Sequence, residues 1–181
     1  MTKQQALDTI AAEIAACRIC KVGKTGLPVP GEGSPNAKVM FVGEAPGKQE
    51  AKTGRPFIGR SGQLLRTLIK EAGLKEEDVY ITSPVKYLPL RGTPTPQDIA
   101  HAKIHYDKQV AIIQPEVIVL LGSVAARANL TQPVSVTKQH GQIIDEHGRK
   151  YLVTYHPAAV LRFPKYKPYV LEDFKKLKAL L

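Results

Sequence analysis

His156 stands in "TYHPAAVLRFPKYKP", where an apolar run ends and a proline follows. A histidine released at the end of a buried strand points its imidazole to the place where α/β proteins keep their ligands. A second stretch, residues 43–62, reads "GEAPGKQEAKTGRPFIGRSG". Its glycines at 43, 47, 54, 59 and 62 let backbone come close to a ligand, and Gly62 opens a helical pattern whose free N–H groups favour an anion. The stretch is no P-loop, because no Lys-Ser/Thr pair follows its last glycine, and it holds no Gly-x-Gly-x-x-Gly. Phe57, between Pro56 and Gly59, has two uses open to it: an anchor for the loop, or a flat face on which a nucleobase stacks. A third stretch sets Val160 and Leu161 beside Arg162, Lys165 and Lys167. That is either a short core helix with a basic edge, or an apolar wedge flanked by cations that enters a duplex and holds its phosphates.

These groups need elements to position them. Ala6, Ile10 and Ile14 recur at helical spacing, so an amphipathic helix begins the chain. Residues 21–36, punctuated by Gly and Pro, read as loop. Four apolar runs read as buried strands: Lys38–Gly43, Val79–Val85, Val117–Gly122 and Tyr151–Tyr155. Helical patterns lie between them ("GQLLRTLIKEAG", "PQDIAHAKIHYDKQVAIIQ", "SVAARANL"), and "VLEDFKKLKALL" closes the chain. Alternating strands and helices imply a mostly parallel sheet covered on both faces. The segments just past the strands' carboxyl ends, which include Gly43–Gly62, Thr82–Thr95 and Tyr155–Phe163, are then the ones to carry chemistry.

The 181 residues suit a single domain spanning 1–181, and the 43% hydrophobic content supports a sizeable core. A formal net charge of +10 favours a polyanionic partner, nucleic acid before an anionic membrane surface, although a basic surface also serves solubility alone. No apolar run approaches the ~20 residues of a membrane span. The amino-terminal residues alternate polar and apolar, unlike a signal peptide. A cytoplasmic, monomeric protein is expected.

Taken together, "GEAPGKQEAKTGRPFIGRSGQLL", "DVYITSPVKY", "TPTPQDI", "PEVIVLLGSVAA", "VSVTKQHG" and "TYHPAAVLRFP" resemble the family-four uracil-DNA glycosylases in order and spacing, over roughly Cys17 to Asp173. The resemblance implies a three-layer α/β/α sandwich around a four-stranded parallel sheet. It implies a DNA-repair hydrolase that cuts the N-glycosidic bond of uracil, or another deaminated base, flipped out of DNA, since that bond is shielded inside the stack. By the same resemblance Gly43 and Phe57 floor the base pocket and Phe57 stacks on the base. Glu44 and Ala45 place the backbone, His156 faces the carbonyl that gathers charge, and Glu50 supports the loop. Val160, Leu161 and Arg162 plug the DNA, with Lys165 nearby. Ala45 stands where more distant glycosylase families carry a water-activating Asp, so no general base is evident. A non-catalytic DNA-binding relative and a nucleotide-handling α/β enzyme are the alternatives.

Two departures from the family pattern matter. The family resembles a four-cysteine iron–sulfur protein, but only Cys17 and Cys20 are present; Tyr87 and Ala102 stand at the other two positions. Two thiolates cannot close such a cluster, so Cys17 and Cys20 read as a remnant. His101 or His105 could complete a zinc site with them, yet the spacing matches no common zinc module, and the expectation is no cofactor. The second departure is Ser83, where the family carries an Asn that reads the base's pairing edge. One rotatable hydroxyl replaces a bidentate amide, which bears on which base is accepted.

Overall fold

The computed structural model describes residues 1–181. Helix α1 (Lys3–Ala16) starts with a capping box in which Thr2 and Gln5 satisfy each other's backbone N–H groups. The one-turn α2 (Arg18–Lys21) follows, then short strands β1 (Lys24–Thr25) and β2 (Glu32–Gly33). Next come β3 (Val39–Val42), α3 (Lys48–Thr53), α4 (Arg60–Glu71), β4 (Val79–Thr82) and β5 (Leu88–Pro89). Helix α5 (Pro96–Ile113) opens with Thr95 and Asp98 as a second capping box and Pro96 in its first turn, where the missing N–H costs nothing. The chain then runs through β6 (Val117–Leu121), α6 (Ser123–Asn129), α7 (Val136–Gln139), β7 (Ile143–Glu146), β8 (Arg149–Thr154), α8 (Pro157–Arg162) and α9 (Lys167–Ala179). No helix is long and apolar enough to cross a membrane.

The main sheet has the order β2-β4-β3-β6-β8-β7. Its four central strands are the four apolar runs of the sequence, all parallel, and the α/β/α layering agrees with the expectation. The strand count differs: β2 and β7 add antiparallel edges. The two-residue β2 and the β7 segment, whose residues alternate exposed and half-buried, carry no buried apolar run. A separate ribbon pairs β1 with β5. Residues 21–36 are thus not all loop.

Period-two alternation distributes the core to the two faces. Val39, Phe41, Val117 and Val119 point to one face with Leu65, Leu68 and Ile69 of α4 and Phe174 and Leu177 of α9. Met40, Val42, Ile118 and Leu120 point to the other, with Tyr106, Val110 and Ile113 of α5 and Leu7 of α1. Because the central strands are parallel, their carboxyl ends share one edge of the sheet. Gly43, Ser83, Gly122 and Tyr155–His156 emerge there, and every segment singled out for chemistry starts from that edge.

Candidate active site

A cavity of about 420 Å³ opens at this edge. Glu44, Ala45, Glu50, Phe57, Ser83 and His156 all line it, so residues from distant parts of the chain meet around one space. Gly43 lies behind the lining rather than on it. A Cβ at Gly43 would sit 2.5 Å from Phe57 Cζ, so the phenylalanine ring reaches its place only because position 43 has no side chain.

Phe57 itself takes φ +50, a left-handed conformation that is uncommon for an aromatic residue. Three neighbours hold it there. Arg66 donates from Nε to the Phe57 carbonyl at 3.0 Å and from its guanidinium to the Pro56 carbonyl, also at 3.0 Å. Buried Glu50 accepts from the Ile58 and Gly59 N–H groups at 2.9 and 2.8 Å. Gly62 admits the backbone of Phe57 so closely that a Cβ there would fall 2.0 Å from its carbonyl carbon. Arg66 is braced in turn by Glu32, at 2.8 Å, which also takes a two-pronged contact from Arg55 at 2.9 Å on each branch. Hydrogen bonds from Arg55, opposed by burial and reinforced by Arg66, hold the Glu32 carboxyl below the usual carboxylate range. The ring is a fixed surface, and Glu50 acts on the loop through its backbone.

His156 caps α8: its Nδ1 accepts from the Ala158 N–H at 3.0 Å. An accepting Nδ1 leaves the neutral ring's proton on Nε2, so the imidazole presents a donor at its other nitrogen. Burial pulls its pKa from 6.5 down to about 4, which keeps the ring neutral at physiological pH. Its centroid lies 5.9 Å from that of Phe57. Glu44 also brings its carboxyl to the cavity; burial pushes it above the usual carboxylate range, with Arg127 acting the other way. The sequence reading places Glu44 among the catalytic residues through its backbone and does not single out Ser61, which also lines the cavity. Arg66 escapes that reading as well, although its i, i+4 spacing from Gly62 places both beside the same loop.

The wedge is corrected at one position. Val160 is only 3% exposed and belongs to the core cluster with Leu65 and Phe174, because it lies on the inner side of α8. The outward apolar groups are Leu161, 40% exposed, and Phe163, 44% exposed. The Arg162 guanidinium sits 5.3 Å from the Phe163 ring centre, and Lys165 projects over Tyr166. The exposed apolar pair among cations is therefore Leu161 and Phe163, shifted from the expected Val160–Leu161, and Leu161 and Arg162 line a groove that shares Glu50, Ser61 and Ala158 with the cavity.

Away from the cavity, Cys17 and Cys20 meet α5. Cys17 Sγ lies 3.2 Å from His101 Nε2, although 84 positions of chain separate the two residues. Burial alone would raise the Cys17 pKa, but hydrogen bonds from His105 and His101 bring it down to about 6, whereas burial pushes Cys20 up to about 12. Both histidines, not one, reach the cysteines, a closure that linear spacing does not reveal. A four-cysteine iron–sulfur cluster does not fit this corner. Tyr87 fills the third position as a fully buried side chain whose hydroxyl donates to the Ile14 carbonyl at 3.1 Å, and Ala102 offers no ligand atom.

The fold and cavity together define an α/β protein with a pocket at the carboxyl edge of a parallel sheet, lined by an aromatic face and hydrogen-bonding groups and with room for a flat ring. Residues 30–178 match the model of the uracil DNA glycosylase superfamily, and the chain belongs to that superfamily. It is 38% identical to the type-4 uracil-DNA glycosylase of Thermotoga maritima, over 99% of this chain and 97% of that one. It is 39% identical to the type-4 enzyme of Archaeoglobus fulgidus, over 97% and 94% of the two chains. A type-5 uracil-DNA glycosylase of Pyrobaculum aerophilum is 31% identical over 74% of this chain and 66% of its own.

Proposed function

We propose that this chain, as one unit over residues 1–181, is a DNA-repair glycosylase that hydrolyses the N-glycosidic bond of uracil flipped out of DNA. The observation that carries the reading is the setting of His156: its Nδ1 accepts from the Ala158 N–H, which leaves Nε2 as the donor, and the ring lines a cavity together with Phe57. As the bond to the base breaks, negative charge gathers on the leaving pyrimidine and positive charge on the sugar. A donor aimed at the base carbonyl lowers that barrier without giving up a full proton, typically by ~100-fold or more. Water completes the reaction by adding to the sugar carbon and releasing one proton, and the anionic base takes up a proton from solvent before it leaves the site.

In this reading Phe57 stacks on the extruded base, on a backbone held by Glu50 and Arg66. Glu44 and Ala45 supply the turn that brings backbone N–H groups to the ring, and the Glu44 carboxyl orients the water. Ser83 meets the pairing edge with one hydroxyl and discriminates less than a bidentate amide does, which is worth ~1–3 kcal/mol per good pair. Leu161 and Phe163 fill the space the base leaves, while Arg162 and Lys165 hold phosphates. The chemical step uses no cofactor, and the enzyme works as a monomer.

The test is single-turnover excision from labelled oligonucleotides carrying one uracil, hypoxanthine or xanthine, read by cleavage at the abasic site. Uracil should be released fastest. Tight binding to uracil-containing DNA with no abasic product from any of the three would make the chain a non-catalytic DNA-binding relative.

A further inference from the structure

The corner between α1, α2 and α5 carries a second constellation that the glycosylase reading leaves unused. Cys17 stands at the break between α1 and α2 and Cys20 lies within α2, while His101 and His105 stand one turn apart on one face of α5. One ligand atom from each of these four residues lies within 4.8 Å of the other three. A tetrahedral ion with zinc-like bond lengths sets its donors roughly 3.5 Å apart, so a contraction of about 1 Å completes the shell. Cys17 Sγ and His101 Nε2, at 3.2 Å, are already that close.

His105 supplies an independent sign. The residue is 7% exposed, and its Nδ1 is the one buried side-chain polar atom without a hydrogen-bond partner. A buried ring nitrogen needs an acceptor, as does the N–H of an imidazole that binds a metal through its other nitrogen. The nearest acid, Glu13, holds its Oε2 3.8 Å from that nitrogen and is tied in turn to Lys108 at 2.6 Å. A carboxylate behind a histidine is the usual outer partner of a metal-bound imidazole.

We propose that Cys17, Cys20, His101 and His105 bind one structural zinc ion, in place of the iron–sulfur cluster of the family. Two thiolates and two imidazoles in a tetrahedron suit zinc, and the buried Tyr87 occupies space a cubane would need. Zinc binding releases the thiol protons to solvent and transfers no electrons. The ion pins the α1–α2 junction to α5, beside the buried Tyr87. With four protein ligands the shell is closed, which marks a structural rather than a hydrolytic centre.

The experiment uses the full chain. Elemental analysis of protein grown with zinc and iron should find stoichiometric zinc, little iron and no visible colour. After chelator treatment, added zinc chloride should raise the melting temperature and saturate at one equivalent. Cobalt(II) should give the intense visible bands of a tetrahedral site with sulfur-to-metal charge transfer. Cys17→Ser and His105→Ala should each abolish these signals, while His147→Ala, at an exposed histidine elsewhere, should keep them. Glu13→Gln should weaken zinc by about 10-fold. If the ligand variants do not fold, the wild-type cobalt spectrum decides alone. Weak octahedral bands, no thermal response to zinc, or stoichiometric iron with broad visible absorption would each overturn the proposal.

Discussion

The cavity and the cysteine–histidine corner are joined by one short segment: Ser83 lines the first, and Tyr87 is buried in the second. Their construction differs. The cavity gathers residues that leave the carboxyl ends of parallel strands, so its geometry follows from the sheet. The corner forms where α1 and α2 lean on α5, outside the cavity lining. In the cavity the buried polar groups are directed at open space or at loop backbone. In the corner they are directed at one another. The first arrangement suits turnover of a ligand, the second suits a clamp. Substitutions should accordingly separate into those that stop excision and those that loosen the fold.

The largest effect should come from His156→Ala. Removing the neutral donor is expected to slow uracil excision by ~100-fold or more while the protein stays folded. Single-turnover kinetics and a thermal melt on the same preparation check this. Equal losses in both would dissolve the distinction between cavity and corner. The pH dependence carries a matching sign. The folded pKa of about 4 lies below the ordinary 6.5, so the unfolded chain binds a proton that the folded chain resists. Stability is therefore lost as pH falls from 6.5 toward 4, by on the order of 2–3 kcal/mol if the histidine acts alone. His156→Asn, which can still cap α8, should flatten that part of a urea-melt pH series.

Phe57 sharpens the comparison because it belongs to both kinds of structure. It lines the cavity and also packs in the core, so truncation to alanine would mix a binding loss with a cavity cost of ~3–5 kcal/mol. Phe57→Leu keeps most of the bulk and removes the flat face. Excision should fall about 10-fold, the low end of a ~1–3 kcal/mol stacking contribution, with affinity for undamaged duplex unchanged. An equal drop in undamaged-duplex affinity would assign Phe57 to the general DNA surface instead.

How far these regions can be read from the amino-acid sequence follows the same division. The four central strands are visible as apolar runs, and a residue at the end of such a run has its position set by the sheet. The places of Gly43, Ser83 and His156 at the sheet edge are legible for that reason, whereas Phe57, beyond α3, is marked only by its Gly- and Pro-rich loop and by the resemblance. Val160 is not legible, because six helical residues are too few for periodicity to show which side is inner. The edge strands β2 and β7 lack the buried runs that mark a strand. In the corner the sequence offers spacing alone, and spacing cannot show that α5 returns to set both histidines against Cys17 and Cys20.

Arg162 should have a smaller effect on chemistry and a visible one on binding. It is exposed beside the cavity mouth, so Arg162→Ala removes at most a phosphate contact and the cation stacked on Phe163. The slope of log affinity against log salt should shrink by about 1, measured by fluorescence anisotropy on undamaged duplex. An unchanged slope would move the DNA path away from α8.

The smallest effect on turnover is expected at Tyr87, where the two regions connect. The Tyr87 hydroxyl donates to the Ile14 carbonyl at 3.1 Å, and that carbonyl also accepts from the Cys17 N–H at 3.2 Å. Tyr87→Phe keeps the ring in the Ile10–Ile14–Cys20 cluster and leaves the carbonyl one partner, so no buried acceptor is stranded. The cost should be one net hydrogen bond, about 0.5–1.5 kcal/mol in a urea melt. Excision should not change, because Ser83 is held independently. Lys86, a little further along the same segment, anchors it through Thr82 and Gln109 at 2.8 and 2.7 Å. A Tyr87→Phe protein that excises uracil several-fold more slowly would show that the corner sets the position of Ser83, and that clamp and pocket are one device.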